Sequence, residues 1–152
     1  MSQTARQAFR YSSVPGAQVF GLCFSADYCK WCRDFTPKLT ELYPHLLERG
    51  VEIVLVGSDK TQEAHDAYRS QQPRPAGRFD DDIRIELRDE FYVNPIPTLI
   101  FVGQEGNVVN RDGCSLVDIA AINENNRQTV EWVASQVGVG SPFRYDSDNS
   151  DF

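Results

Sequence analysis

Two cysteines with two residues between them, Cys29 and Cys32, are the strongest candidates for chemistry in this sequence. The chain has four cysteines in 152 residues, and the other two are Cys23 and Cys114. This is too few for the disulfide framework of a small secreted domain. A single C-x-x-C outside such a framework is typical of reversible dithiol–disulfide chemistry or of metal binding.

Zinc binding is the alternative interpretation of the same pair. A structural zinc ion takes four ligands, and the sequence has no second C-x-x-C. The two histidines, His45 and His65, lie alone in segments that are predicted to be helical. Redox chemistry is therefore favoured, and neither a metal nor another cofactor is expected.

The residues around the pair predict a strand that leads into a helix. Residues 18–24 form an apolar run of strand length. From Cys32 onward, apolar residues recur at steps of three and four, which places them on one face of a helix. They are Phe35, Leu39, Leu42, Tyr43, Leu46 and Leu47.

The start of this helix is expected to make the two sulfurs chemically different. Cys29 lies at or before the first turn, where unpaired N–H groups and the helix dipole stabilise a thiolate. Lys30 adds a positive charge beside it. Cys32 follows three residues later on the same side and is less exposed. We therefore expect Cys29 to attack a partner disulfide and Cys32 to resolve the mixed disulfide.

The rest of the chain alternates strand and helix patterns. The predicted strands are 51–56, 99–102 and a short one from Val108, with a turn at 104–107 that makes the last two a hairpin. The predicted helices are 60–71, a short one that carries Ile83, Leu87 and Phe91, and 126–137, with a loop over 72–82. This order predicts an α/β fold, a central mixed β-sheet flanked by helices on both faces.

A proline before the third predicted strand completes the candidate site. In Ile96-Pro97-Thr98, the proline directly precedes the strand, a position where the X–Pro bond is often cis. A cis-proline beside a dithiol presents its neighbour's backbone N–H and C=O to an extended partner chain, which docks as a short added strand. An ordinary trans turn is the alternative, and the C-x-x-C favours the cis form.

Length and composition indicate one domain over residues 1–152, with a polar lead-in at 1–16 and a flexible Gly/Ser/Asp-rich tail at 138–152. The net charge of −7 and only three lysines disfavour binding to nucleic acid or to anionic membranes. The longest apolar runs, five to seven residues, are too short to span a bilayer. We expect a monomer.

The N-terminal segment has no apolar signal-peptide core, so a cytoplasmic location is expected. The mitochondrion is the alternative location, because residues 1–26 contain two arginines and no acidic residue.

The segment around the cysteines resembles the active-site segment of the tryparedoxin and nucleoredoxin families, whose pattern is F-S-A-x-W-C-P-P-C-R-x-F-T-P. Residues 20–37 read F-G-L-C-F-S-A-D-Y-C-K-W-C-R-D-F-T-P. The similarity continues at 56–64, at 91–100 and at the hairpin with Arg111. The resemblance implies a thioredoxin fold, a dithiol–disulfide cycle and a cis Ile96–Pro97 bond.

The resemblance also implies partners. A tryparedoxin-type protein would take electrons from trypanothione, a low-molecular-weight dithiol, and reduce protein disulfides such as those of peroxiredoxins. The alternative is a nucleoredoxin-like module whose dithiol controls binding to a partner protein, with little turnover.

This chain departs from the family pattern at positions that line the substrate face. Tyr28 replaces the tryptophan before the first cysteine, and Lys30-Trp31 replaces Pro-Pro. We expect Tyr28, Lys30, Trp31, Ile96 and Pro97 to shape the docking face.

Two further positions bear on the chemistry. Arg111 is a candidate for binding a substrate carboxylate. Classical thioredoxins have a buried Asp six residues before the first cysteine, where this chain has Cys23. The sequence therefore identifies no carboxylate base for Cys32.

Overall fold

The structure is a computed structural model that describes residues 17–26, 28–57, 62–70 and 83–139. These ranges contain the strands β1 (Val19–Ser25), β2 (Val51–Gly57), β3 (Thr98–Gly103) and β4 (Val108–Asn110). They also contain the helices α1 (Lys30–Leu47), α2 (Gln62–Ser70), α3 (Ile83–Glu90), α4 (Gly113–Ile122) and α5 (Arg127–Gln136). The predicted lead-in at 1–16, the loop at 72–82 and the tail from residue 140 lie outside the described residues.

The four strands form one mixed sheet in the order β2–β1–β3–β4. β1 runs parallel to β2, and α1 connects them, as a parallel pair requires a crossover. β3 is antiparallel to both β1 and β4, so β3 and β4 form the predicted hairpin. The prediction of a mixed α/β sheet is confirmed.

Side chains of β1 alternate between two apolar clusters, one on each face of the sheet. Val19 and Cys23 belong to the cluster that includes residues of α1, α4 and α5. Phe20, Leu22 and Phe24 belong to the second cluster, which includes Leu87 of α3. Helices therefore cover both faces, as predicted, and the face beneath α1 is the one that Cys23 occupies.

α1 follows the predicted apolar pattern closely. Its buried residues are Cys32, Phe35, Leu39, Leu42, Tyr43 and Leu46, whereas Leu47 is partly buried. The chain then turns through Gly50, whose φ of 82° is a conformation that glycine adopts without a Cβ penalty. Although α1 has 18 residues, no helix in the described part of the chain is long and apolar enough to cross a membrane.

α4 was absent from the sequence prediction, which placed no helix between the hairpin and residue 126. Leu116, Val117 and Ala120 face the core at helical spacing. The same helix also carries Ile119 and Ile122 on its exposed side, with 80% of Ile122 exposed. Apolar residues thus lie on the exposed side of this helix as well as on its buried side, so the polar face by which an amphipathic helix is recognised is weak.

Candidate active site

Cys29 is the N-cap residue of α1. Its backbone is extended (φ −94°, ψ 119°), and its Sγ accepts a hydrogen bond from the Cys32 N–H at 3.4 Å. The Cys29 carbonyl accepts from the Arg33 N–H at 3.0 Å, which closes the first helical turn. The half-buried sulfur therefore takes the place of a capping oxygen, at the positive end of the helix dipole.

Cys32 is completely buried one turn into the helix. Burial raises the pKa of its thiol to about 12, so the thiol keeps its proton at neutral pH. A hydrogen bond with the Cys29 sulfur raises the pKa further, whereas hydrogen bonds from Ser25 and the Ala26 backbone lower it. The placement agrees with the prediction of an accessible first sulfur and a buried second one, and the catalytic roles stay predictions.

The Ile96–Pro97 peptide bond is cis, which confirms the prediction made from Ile96-Pro97-Thr98. Cys29 Sγ donates a hydrogen bond to the Ile96 carbonyl oxygen at 3.6 Å. Both Ile96 and Pro97 are partly exposed, and β3 begins at the next residue, Thr98, opposite Phe24 of β1. The fold thus brings the dithiol and the cis-proline, 65 or more residues apart in the chain, to one end of the sheet.

The residues on either side of Cys29 in the chain carry exposed side chains. Tyr28 is 54% exposed and Trp31 is 69% exposed, so neither ring fills the core. The Lys30 ammonium lies over the Trp31 ring, 5.6 Å from its centroid, which is a cation–π contact. Lys30 and Trp31 therefore form one surface unit beside Cys29, and their part in partner binding stays a prediction.

Arg111 follows β4 and anchors the segment that leads to the cis-proline. Its guanidinium donates a hydrogen bond to the Phe91 carbonyl at 2.5 Å. That carbonyl precedes Tyr92, which has a φ of 56° and is 86% exposed. The substrate-binding role that the sequence suggests for Arg111 stays a prediction, and the contact to Phe91 gives this side chain a structural role.

Cys114 lies closer to the site than the sequence indicated. It is half-buried in the first turn of α4, and its thiol donates to the Pro97 carbonyl at 3.6 Å. Burial raises the pKa of the Cys114 thiol to about 12, and Cys23 and Asp118 add to the rise. Because α4 was not predicted, the contact between Cys114 and Pro97 could not be expected from the sequence.

Gly113 allows this close approach of α4 to β3. A Cβ at this position would lie 2.6 Å from the Leu99 carbonyl oxygen and 2.5 Å from Leu99 Cγ. A real Cβ is not accommodated at such distances from backbone, so any other residue before Cys114 would force α4 and β3 apart.

Ser25 is a site residue that the sequence prediction missed. It is the last residue of β1, is fully buried, and is hydrogen-bonded through its side chain to Cys32. The available indication was the alternation along β1, which puts residue 25 on the same face as Cys23. Cys23 itself is buried in the core beneath α1, as expected of a small apolar side chain.

Comparison with known proteins gives a family model and several relatives named nucleoredoxin. Residues 16–108 match the family model described as thioredoxin-like. Probable nucleoredoxin 1 of Arabidopsis thaliana is 41% identical over 96 residues, which is 62% of this chain and 17% of that protein. Human nucleoredoxin is 32% identical over 129 residues, 83% of this chain and 28% of that protein. The chain thus spans less than a third of the length of these relatives.

Solved structures similar to this chain include tryparedoxins. Tryparedoxin II in complex with glutathionylspermidine matches with a TM-score of 0.68 and 25% identity, over 82% of this chain and 98% of that one. Tryparedoxin from Trypanosoma brucei matches with a TM-score of 0.65 and 28% identity, over 78% and 94% of the two chains. The resemblance stated from residues 20–37 is confirmed at the level of fold and family.

Proposed function

The chain belongs to the thioredoxin-like family, and from that premise we propose that it is a thiol–disulfide oxidoreductase of the tryparedoxin type. In this proposal Cys29 and Cys32 cycle between dithiol and disulfide while they reduce disulfides of partner proteins. One observation carries it. The half-buried Cys29 sulfur lies at a helix start and is hydrogen-bonded to the carbonyl that precedes the cis-proline, and the buried Cys32 sulfur lies one turn away.

The first step is attack of the Cys29 thiolate on one sulfur of the partner disulfide. A bond forms between Cys29 Sγ and that sulfur, while the partner's own S–S bond breaks and its second sulfur leaves as a thiolate that takes up a proton. The Cys32 N–H and the positive end of α1 stabilise the negative sulfur before attack.

The second step is attack of Cys32 on Cys29 Sγ. The Cys29–Cys32 disulfide forms, the bond to the partner breaks, and the partner leaves as a dithiol. Cys32 is fully buried, so a partner disulfide reaches Cys29 first and Cys32 acts only from inside. A low-molecular-weight dithiol then reduces the protein disulfide and closes the cycle.

The partner chain is proposed to dock along the cis-proline loop. An extended segment would pair with the backbone of Ile96, and its side chains would contact the exposed rings of Tyr28 and Trp31. A trypanothione-type dithiol as donor is supported by the similarity to a tryparedoxin in complex with glutathionylspermidine. A peroxiredoxin-type protein as acceptor is proposed from the resemblance to tryparedoxins alone.

Reduction of insulin disulfides tests the function. Turbidity is followed with dithiothreitol or with dihydrotrypanothione as the reductant, and the wild type should accelerate precipitation catalytically at substoichiometric protein. Cys29→Ser is the matched control, since it removes the attacking sulfur and keeps the volume of the side chain nearly constant. Wild-type precipitation no faster than that of Cys29→Ser would contradict the proposal.

A nucleoredoxin-like binding module is the second candidate. The observation that favours it is Trp31, whose indole is largely exposed beside Cys29 and is therefore available to a protein partner. Such a module would bind a protein in one redox state and turn over slowly. A pull-down with Cys32→Ser separates the two candidates. An oxidoreductase variant holds its partner through a disulfide that a reductant breaks, whereas a binding module retains its partner without a covalent bond.

A further inference from the structure

The end of β1 lies directly beneath the start of α1, and this junction surrounds the buried sulfur. Ser25 and Ala26 are both fully buried. Ser25 is held in register by pairing with Gly57 of β2, and Ala26 accepts a hydrogen bond from the Cys29 N–H at 3.3 Å. The residues that precede the dithiol are therefore fixed by the sheet on one side and by the helix on the other.

Three groups contact the Cys32 sulfur at this junction. The Ser25 hydroxyl and the Ala26 backbone each form a hydrogen bond that favours the thiolate. Because a thiolate carries no proton, both groups must donate to the charged sulfur. The third contact is with the Cys29 sulfur, which Cys32 must attack in the resolving step. Two donors thus contact the Cys32 sulfur, and the Cys29 sulfur that it must attack lies beside it.

Cys32 needs such donors because burial opposes the charge that it must carry. Desolvation is the largest influence on its thiol and favours the neutral form. In the position where classical thioredoxins have a buried Asp, this chain has Cys23, which lies in the apolar core. Of the described groups that act on the Cys32 thiol, none is a carboxylate.

We propose that the Ser25 hydroxyl positions Cys32 and stabilises its thiolate during the resolving step. This inference deepens the proposed function and rests on it. The hydroxyl donates to the sulfur as Cys32 loses its proton, the Cys32–Cys29 bond forms, and the bond from Cys29 to the partner breaks. The proton that Cys32 gives up is the one that the leaving partner sulfur gains. A hydroxyl has no net basicity at neutral pH, so Ser25 acts as a donor to the charge and not as the final proton acceptor.

The side chain and the backbone make separable contributions. The Ala26 amide is present whatever the sequence, whereas the hydroxyl belongs to Ser25 alone. Because hydrogen bonds to charged groups contribute about twice as much as those between neutral groups, removing the hydroxyl should affect the thiolate far more than the thiol.

Ellman's reagent separates the two steps without a protein substrate. With reagent below the protein concentration, Cys29 attack releases the first thionitrobenzoate at a rate proportional to protein. Cys32 then releases the second at a rate independent of protein concentration. Stopped-flow absorbance resolves both phases for the wild type, Ser25→Ala, Ser25→Thr and Ser25→Val. Cys23→Ala is the matched control, since it truncates a buried side chain of the same strand and face.

Ser25→Ala should slow the second phase by about ten-fold or more and leave the first within about two-fold. The pH at which the second phase reaches half its maximal rate should move upward. Ser25→Thr keeps the hydroxyl and should retain the wild-type rate of the second phase, whereas Ser25→Val lacks it and should be slow. This comparison remains available if Ser25→Ala fails to fold. Cys23→Ala should lower stability and leave the pH profile unchanged.

Equal slowing of both phases in Ser25→Ala, an unmoved pH profile, or equal second-phase rates in Ser25→Thr and Ser25→Val would each overturn the inference. Failure of the proposed function looks different. In that case both Ellman phases are normal in the wild type, whereas insulin is not reduced.

Discussion

Cys29 and Cys114 sit in two regions that resemble each other closely. Each is half-buried near the start of a helix, α1 or α4, and each thiol donates to a carbonyl of the cis-proline dipeptide at 3.6 Å. The difference is the place in the helix. Cys29 is the N-cap, so its sulfur accepts a helix N–H, whereas Cys114 is the second residue inside α4. The proposal that Cys29 and not Cys114 is the nucleophile therefore rests on the capping position, because residue type, partial burial and the carbonyl contact are shared by both.

The largest expected effect is on catalysis by single cysteine variants. Cys29→Ser should lower insulin reduction on the order of a thousand-fold, because no other accessible sulfur takes over the attack. Cys114→Ser should keep most of the activity.

After exposure to an oxidised partner protein, Cys32→Ser should accumulate adducts on Cys29, as seen on non-reducing gels with mass mapping. Adducts that map to Cys114 in the wild type would remove the distinction between the two regions.

Alkylation sharpens the same contrast. At pH 7, iodoacetamide should modify Cys29 about a hundred-fold faster than Cys114. Burial holds the pKa of Cys114 at about 12 and leaves almost no thiolate there. As the pH rises toward that value, the Cys114 rate should keep climbing steeply. Peptide mass spectrometry over a pH series measures both sites, with Cys32 as an internal buried reference. Equal rates at pH 7 would contradict the raised pKa of Cys114 and remove the contrast between the two sites.

Gly113→Ala tests whether the Cys114 region depends on close packing. The new Cβ would collide with the carbonyl and side chain of Leu99, so α4 must shift from β3 at a cost of about 1–3 kcal/mol. Urea unfolding gives this number, and Ser115→Ala, an exposed change on the same helix, should stay within about 0.5 kcal/mol. The first Ellman phase should be preserved in Gly113→Ala, since Cys29 is held by α1. A loss of that phase would show that the position of Cys29 depends on the packing of α4 against β3.

The smallest expected effect is on stability at alkaline pH. The folded state raises the pKa of Cys114 from 9.0 to about 12, so the folded protein keeps a proton that the unfolded chain loses. This contribution is fully present below pH 9 and is lost as the pH rises from 9 toward 12, amounting to about 1 kcal/mol by pH 10. Urea unfolding at pH 7, 9 and 10 should therefore show a shallower decline for Cys114→Ala than for the wild type. Parallel declines would place the alkaline sensitivity elsewhere.

The features of the site that the sequence predicts are those set by residues close to one another in the chain. The helix that begins at Cys29 follows from its apolar spacing and from the strand before it. The cis bond at Pro97 follows from its place before β3 and from the dithiol. The helix prediction used one short stretch of chain, and the cis prediction combined two short stretches. Spacing and capping preferences are informative over such stretches.

The part that sequence did not predict depends on contacts between distant segments. α4 was missed because Ile119 and Ile122 obscure its buried face. Without α4, the contact between Cys114 and Pro97 has no basis. The bond between Ser25 and Cys32 crosses from strand to helix, and only their packing in three dimensions shows that the hydroxyl meets the sulfur. Arg111 likewise finds Phe91 across a gap of 20 residues.

The pair of thiol–carbonyl hydrogen bonds at Ile96 and Pro97 also gives the molecule an internal spectroscopic reporter. The S–H stretching vibration absorbs in an infrared window that other protein groups leave empty, and its frequency falls when the thiol donates to a carbonyl. Oxidation to the Cys29–Cys32 disulfide removes the S–H bands of both Cys29 and Cys32, while the Pro97-bonded band of Cys114 persists. A difference spectrum between the two redox states would therefore follow catalytic turnover without any label.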